Sequence, residues 1–268
     1  MKKPLDGPMS VMIREFLSVF DLAALLVDPA FYGIGARRGL GKPVVVIPGL
    51  FGSDLYLQPL NNWLCWSGYK PIQSNLDFNA GCLQRLSAQI IDQIEAQLDD
   101  DSSSFALIGH SRGGSMAWSI ASHFQDRVSH LVMLGSPIAS MMASVETGKP
   151  VAVPVGRAGR SLMRMSSAIR HILDPDCDYP TCGCPFVSDI KRPLSSRTSI
   201  LSIYGRDDSL VPKEARVTEG EILEVSASHV GLVYNPEVYR ALAKFLSNDQ
   251  GAGQGAGYRS GAGGDTGL

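Results

Sequence analysis

The hexapeptide Gly109-His110-Ser111-Arg112-Gly113-Gly114 lies between an apolar stretch, Phe105 to Ile108, and a stretch rich in small residues that also carries Trp118. A serine with glycine two residues away on either side, placed where a strand turns into a helix, has the spacing of a nucleophile elbow. The tight turn forces the serine into a strained backbone conformation. Glycines at 109 and 113 let neighbouring chain segments come close enough to hold it there. The hydroxyl then stands at a helix N-terminus, where backbone N–H groups and the helix dipole favour an anion formed beside it. Acyl transfer, in which the attacked carbonyl becomes an oxyanion, is the chemistry that fits.

A serine hydroxyl is a weak nucleophile near neutral pH and needs a base, which in turn needs a group to fix its tautomer. In a sheet of parallel strands these partners come from loops at the C-terminal ends of later strands. Two such loops exist. Gly205-Arg206-Asp207-Asp208-Ser209-Leu210-Val211-Pro212 follows the apolar run Ser199 to Tyr204, and one of its adjacent aspartates is the acid candidate. Ser226-Ala227-Ser228-His229-Val230-Gly231-Leu232 follows Glu221 to Val225 and supplies His229 as base. The other histidines are placed for structural work: His110 inside the elbow, His123 on the helix after it, His130 before a strand, His171 in a later irregular segment.

Oxyanion stabilisation calls for two backbone donors. The Arg112 N–H is one. The other is assigned to Leu50 in the loop Ile47-Pro48-Gly49-Leu50-Phe51-Gly52 after the first strand, with Gly49 giving the turn its room. Cys177, Cys182 and Cys184 lie close in sequence to Asp176, Asp178 and His171, a set that could ligate zinc or form a disulfide. Neither spacing is diagnostic, and a catalytic zinc is redundant beside a serine, histidine and aspartate. The expectation is no metal and no cofactor.

The elements that must position these residues alternate. The β-branched run Val44 to Ile47 is followed by a helical pattern through Leu55, Leu60 and Leu64. A strand near Tyr69 to Ile72 precedes a helix from about Cys82 to Leu98, and the strand at Phe105 to Ile108 precedes the helix after Arg112. Further strands are expected at Leu131 to Leu134, Ser199 to Tyr204 and Glu221 to Val225. A closing helix follows, capped by Asn235 with Pro236 in its first turn. Short, continuously apolar strands alternating with helices predict an α/β architecture, a mostly parallel sheet with helices on both faces. The rhythm fails over about 138–193, where Met141, Met142, Met163 and Met165 mix with glycine, proline and cysteine, the composition of an inserted cap.

The organisation is thus an N-terminal lead-in over 1–42, one domain over 43–250, and a glycine-rich tail over 251–268 that has little to bury and is expected to be disordered. Residues 10–27 form a strongly amphipathic helix, expected to pack on the domain's own surface, with a lipid surface as the alternative contact. Hydrophobic residues make up 44% and charged residues 19% of the chain, a globular mix, and the net charge of -2 offers no basic field for nucleic acid. Neither a secretory leader nor a membrane-spanning run is evident, so a cytoplasmic or peripheral-membrane location is expected. The sequence does not set the oligomeric state.

Taken in order, the Pro48-Gly49-Leu50-Phe51-Gly52-Ser53-Asp54 loop, the elbow, Leu134-Gly135-Ser136-Pro137, the Asp207-Asp208 loop and Ser228-His229-Val230-Gly231-Leu232 resemble the bacterial lipase and esterase branch of the α/β-hydrolases, from about Pro43 to Leu246. The resemblance implies hydrolysis of carboxylic esters or lipids, with the insertion after the sixth strand of that fold's standard order acting as lid and acyl-chain pocket. It also implies Asp208 rather than Asp207 as the acid, since related loops set the carboxylate four residues before the proline. Two departures stand out: His110 and Arg112 replace the Trp and Leu frequent in such relatives, and the oxyanion loop begins Pro48-Gly49 rather than His-Gly. Arg112 is accordingly expected to bring positive charge beside the pocket. An acyltransferase using the same residues, or a binding module on the same fold, are the competing readings.

Overall fold

The computed structural model describes residues 18–34, 39–98, 103–151 and 157–248. Among them six strands form one sheet: β1 (Pro43–Ile47), β2 (Lys70–Gln73), β3 (Phe105–His110), β4 (Val128–Leu134), β5 (Ser199–Gly205) and β6 (Glu221–Val225). Their spatial order is β2-β1-β3-β4-β5-β6, and every neighbouring pair is parallel. The helices are α1 (Ser18–Val27), α2 (Gln58–Trp66), α3 (Leu83–Gln97), α4 (Arg112–Phe124), α5 (Ile138–Thr147), α6 (Arg157–Leu173), α7 (Pro185–Asp189) and α8 (Pro236–Leu246).

The strands are apolar on both sides because both sides are covered. Val45, Ile47, Leu107, Leu131 and Met133 face a core shared with Leu86 and Ile90 of α3, Met116 and Ile120 of α4, Ile138 of α5 and Phe186 of α7. Their alternates Val44, Val46, Ala106, Ile108, Val132 and Leu134 face a second core with Trp63 of α2 and Tyr239 and Leu242 of α8. The two-residue strand period therefore sorts one continuous apolar run into two separate cores.

Register brings the functional loops together. Ile47 pairs with Gly109, His110 with Leu134, Leu134 with Ile203 and Gly205 with Val225. The chain after each of these strands thus leaves the sheet at the same edge. The topology reverses between β1 and β3, since β2 lies on one side of β1 and β3 on the other, and this switch point is where open parallel sheets hold ligands.

Several boundaries differ from the sequence reading. β4 begins at Val128, three residues before the expected start, because Val128 is buried and the run from it is only briefly interrupted. The helix expected through Leu55 is split into a 3-10 turn, Asp54–Leu57, and α2, with Pro59 in the first turn of the latter. The segment read as an insertion lies between the fourth and fifth strands of the described sheet, which opens with Pro43–Ile47 because the described residues before β1 are helix and turn. Within the segment, Phe186 and Ile190 are buried in the body's own core, whereas Met163, Met165, Ile172 and Leu173 of α6 are exposed.

Of the amphipathic stretch 10–27, residues 10–17 lie outside the described residues. In α1, Leu25 is wholly buried against the body while Phe20 is 66% exposed. No described helix is long and apolar enough to cross a membrane. The tail 251–268 also lies outside the described residues.

Trp63 joins the first turns of the described chain to the last helix. Its indole N–H donates to the Ala30 carbonyl at 2.9 Å, and its ring meets Tyr239 edge-on at 5.5 Å. Trp63→Ala is expected to cost about 3–5 kcal/mol, read as a lower urea midpoint with an unchanged m-value; an unchanged midpoint contradicts this packing.

Candidate active site

Ser111 stands between β3 and α4 with φ 53° and ψ −122°, a left-handed region that a side-chain-bearing residue adopts only under constraint. The constraint is visible. Its N–H donates to the Leu134 carbonyl at 2.7 Å. A Cβ on Gly109 would collide with the Gly113 carbonyl, and one on Gly113 would collide with the carbonyls of Ile47 and Pro48. Only bare backbone lets α4 settle this deeply against β3 and β1, and both elbow glycines are accounted for on that ground.

The Pro48 loop passes directly over the elbow. A Cβ on Gly49 would lie 3.1 Å from the Ser111 Cβ and 2.9 Å from the His110 Nδ1. The Gly49 N–H donates to the Tyr56 hydroxyl at 2.6 Å and the Phe51 N–H to the Asn79 carbonyl at 2.9 Å. No backbone acceptor for the Leu50 N–H appears among the described residues. Asn79, fully buried, holds the loop from below: its amide donates to the Pro48 carbonyl at 2.7 Å and its N–H to the Gly52 carbonyl at 2.9 Å.

At the other side of the elbow, His229 Nδ1 lies 2.7 Å from Asp208 Oδ2, both side chains buried. The second carboxylate oxygen of Asp208 accepts the N–H groups of Leu210 at 2.8 Å and Val211 at 3.0 Å. Burial alone would push this carboxyl up. The imidazole beside it and the two backbone donors outweigh burial and hold it below the usual carboxylate range. Asp207 is exposed, which separates the adjacent pair into a buried partner and a surface turn residue. Gly135, at φ 57°, leaves the room: a Cβ there would stand 3.3 Å from both Asp208 Oδ2 and His229 Nδ1.

Ser111, His229, Leu50 and Arg112 line one cavity of about 380 Å³, walled by apolar side chains including Phe51, Met141, Leu162, Met163, Val211 and Val230. The chain between β4 and β5 contributes Met141 from α5 and Leu162 and Met163 from α6. The Arg112 side chain is anchored. Its guanidinium donates to the Gly81 carbonyl, so the charge is committed to the turn before α3; burial and the nearby Arg170 push it down to about 10.

His110, placed by the sequence for structural work, does that work by linking the two loops that frame the elbow. His110 Nε2 lies 3.0 Å from the His229 carbonyl, and its Nδ1 lies 2.9 Å from the Tyr56 hydroxyl. A carbonyl can only accept, so the proton sits on Nε2, and Nδ1 accepts from Tyr56. The chain runs Gly49 N–H to Tyr56 to His110 to the His229 carbonyl. Burial, with the neighbouring His229 imidazole, pushes His110 down to about 3, so it is neutral. No local motif announces this, because the partners stand 54 and 119 residues away. His123 and His171 are exposed, and His130 Nε2 lies 3.1 Å from the Asn248 carbonyl. Among the described residues no group of three or more histidine, cysteine, aspartate or glutamate side chains could hold a metal ion.

Comparison with known proteins agrees with this architecture. A family profile described as alpha/beta hydrolase fold matches residues 84–155, which span α3, the elbow and β4. Among solved structures, a carboxylesterase of the ammonia-oxidizing thaumarchaeon Nitrososphaera gargenis is 19% identical with a TM-score of 0.52, over 78% of this chain and 91% of that one. A monoacylglycerol lipase of Paleococcus ferrophilus is 18% identical with a TM-score of 0.50, over 79% and 96%. No curated protein matches the sequence. The chain has the α/β-hydrolase fold.

The buried neutral state of His110 makes stability depend on pH. The unfolded chain takes up a proton near pH 6.5, which the folded chain refuses until about pH 3, so stability is full above 6.5 and falls as pH drops through this window. Asp208, whose carboxyl is also lowered, acts in the same direction. The His110 contribution is at most about 1.4 kcal/mol per pH unit. His110→Asn is expected to flatten the urea midpoint against pH between 6 and 4, and an equally steep profile contradicts the assignment.

Proposed function

We propose that the protein is a serine hydrolase of carboxylic esters that works through an acyl-enzyme. The observation that carries this reading is the buried Asp208–His229 pair, 2.7 Å apart, opening on the same cavity as the strained Ser111. In this reading Ser111 attacks the ester carbonyl while His229 takes its proton and then delivers it to the leaving alcohol. Asp208 fixes the imidazole with its proton on Nδ1 and stabilises the imidazolium. Water repeats the sequence on the acyl-enzyme.

The N–H groups of Leu50 and Arg112 receive the oxyanion, each worth roughly 2.7–4 kcal/mol. They belong to loops from adjacent strands, and Gly49 keeps those loops in contact. The apolar walls favour an acyl chain over a charged acid. Helices α5 and α6 form the lid side of that pocket, and the esterase and lipase described above are consistent with this substrate class without fixing it.

Turnover of p-nitrophenyl esters from short to long acyl chains is the test. The wild-type chain is expected to hydrolyse them, Ser111→Ala to lose at least about 10,000-fold in kcat with its fold retained, and Asp208→Asn to lose about 10,000-fold. Unchanged turnover in Ser111→Ala rules the reading out.

A further inference from the structure

Four of the five cysteines meet where the α6–α7 connection crosses the turn before α3, outside the cavity. Asp174 pins the crossing. Its carboxylate accepts the Cys82 N–H at 2.6 Å, its carbonyl accepts the Cys177 N–H at 3.0 Å, and its ion pair with Arg85 at 2.6 Å fixes the carboxylate. One residue therefore holds the backbones of Cys82 and Cys177 side by side. The Sγ atoms of Cys182 and Cys184 lie 2.6 Å apart, and Cys184 is close enough to Cys82 for their charges to interact. All four are half-buried, within reach of a small reagent, while Cys65 is exposed elsewhere.

We propose that Cys82 and Cys177 form a disulfide that fastens the α6–α7 connection to the body, with Cys182 and Cys184 closing as a second pair. The Cys182 and Cys184 sulfurs meet, Cys82 and Cys177 are neighbours through Asp174, and among the described residues no set of three or more ligands converges on a metal. The sequence suggested pairing only within Cys177, Cys182 and Cys184; Cys82 is brought to them by the fold. The bond closes a loop of roughly 95 residues, the kind of long loop whose closure most restricts the unfolded chain. It also lies one residue from Gly81, whose carbonyl holds the Arg112 guanidinium, so the staple secures the turn that the elbow leans on.

Formation by exchange is balanced. One protein thiolate attacks a small-molecule disulfide and expels a thiolate. Its partner then attacks the mixed disulfide and expels the second, so two protein thiols and one external disulfide become one protein disulfide and two external thiols.

The pairing stands independently of what Ser111 does. The full chain is incubated with reduced or oxidised glutathione, alkylated while folded, and digested without reduction for mass spectrometry. After oxidation the peptides carrying Cys82 and Cys177 are expected to be linked, Cys182 joined to Cys184, and Cys65 alone alkylated, with Tm higher by about 5–10 °C than in the reduced chain. Cys177→Ser is expected to lose the cross-link and the Tm gain, and Cys184→Ser to keep both. Alkylation of all five thiols in the oxidised sample, pairing of Cys82 with Cys182 or Cys184, or one equivalent of zinc protecting the four thiols would each overturn the proposal.

Discussion

The left-handed backbone at Ser111 is a conformation that its own residue type opposes, and the rest of the structure is arranged so that it cannot relax. Three chain segments converge there with no side chain between them: the end of β3 at Gly109, the start of α4 at Gly113 and the end of β1 at Ile47 and Pro48. Strain of this sort costs on the order of 1–3 kcal/mol and persists only where surrounding packing over-determines it. Here the packing is two apolar cores on opposite faces of one sheet, so relaxing the turn would open both. The residue so constrained lines the cavity.

Around that fixed point the site is built by alignment and cross-bracing. Parallel strands in register deliver the Pro48, Ser111, Gly135, Asp208 and His229 loops to one edge. His110, neutral because it is buried, then ties the first of these loops to the last through Tyr56 and the His229 carbonyl. A buried imidazole with both nitrogens satisfied is a stiff strut, since losing either partner leaves a desolvated polar atom. Nucleophile-side and base-side loops are thereby set relative to each other by a residue that itself stays out of the proposed chemistry.

Much of this was legible in the sequence because the informative signals are local. The β-branched run Val44–Val46, the glycine spacing around Ser111 and the Asn235-Pro236 helix start each declare their structure within a few residues, and all stand close to where they were expected. The residues alone left Asp207 and Asp208 both open, the family resemblance pointed to Asp208 by its spacing from Pro212, and the coordinates supply the physical reason, since the loop turns Asp208 inward and leaves Asp207 exposed. His110, Tyr56 and Asn79 were illegible for a different reason: their partners lie far along the chain, and burial sets their roles. Arg112 does line the cavity, but the acceptor of its guanidinium, the Gly81 carbonyl, was illegible because it is supplied by a turn whose approach no local pattern reveals.

The central claim is that Ser111 is activated by the buried Asp208–His229 pair, and labelling by a fluorophosphonate measures that activation at the residue itself. Intact-mass analysis followed by peptide mapping is expected to find one adduct on Ser111 in the folded protein. The rate of its formation should collapse in Asp208→Ala and His229→Ala, whose urea midpoints report whether they remain folded. Absence of the adduct in the wild-type chain, or equal labelling rates in the folded variants, would contradict the account.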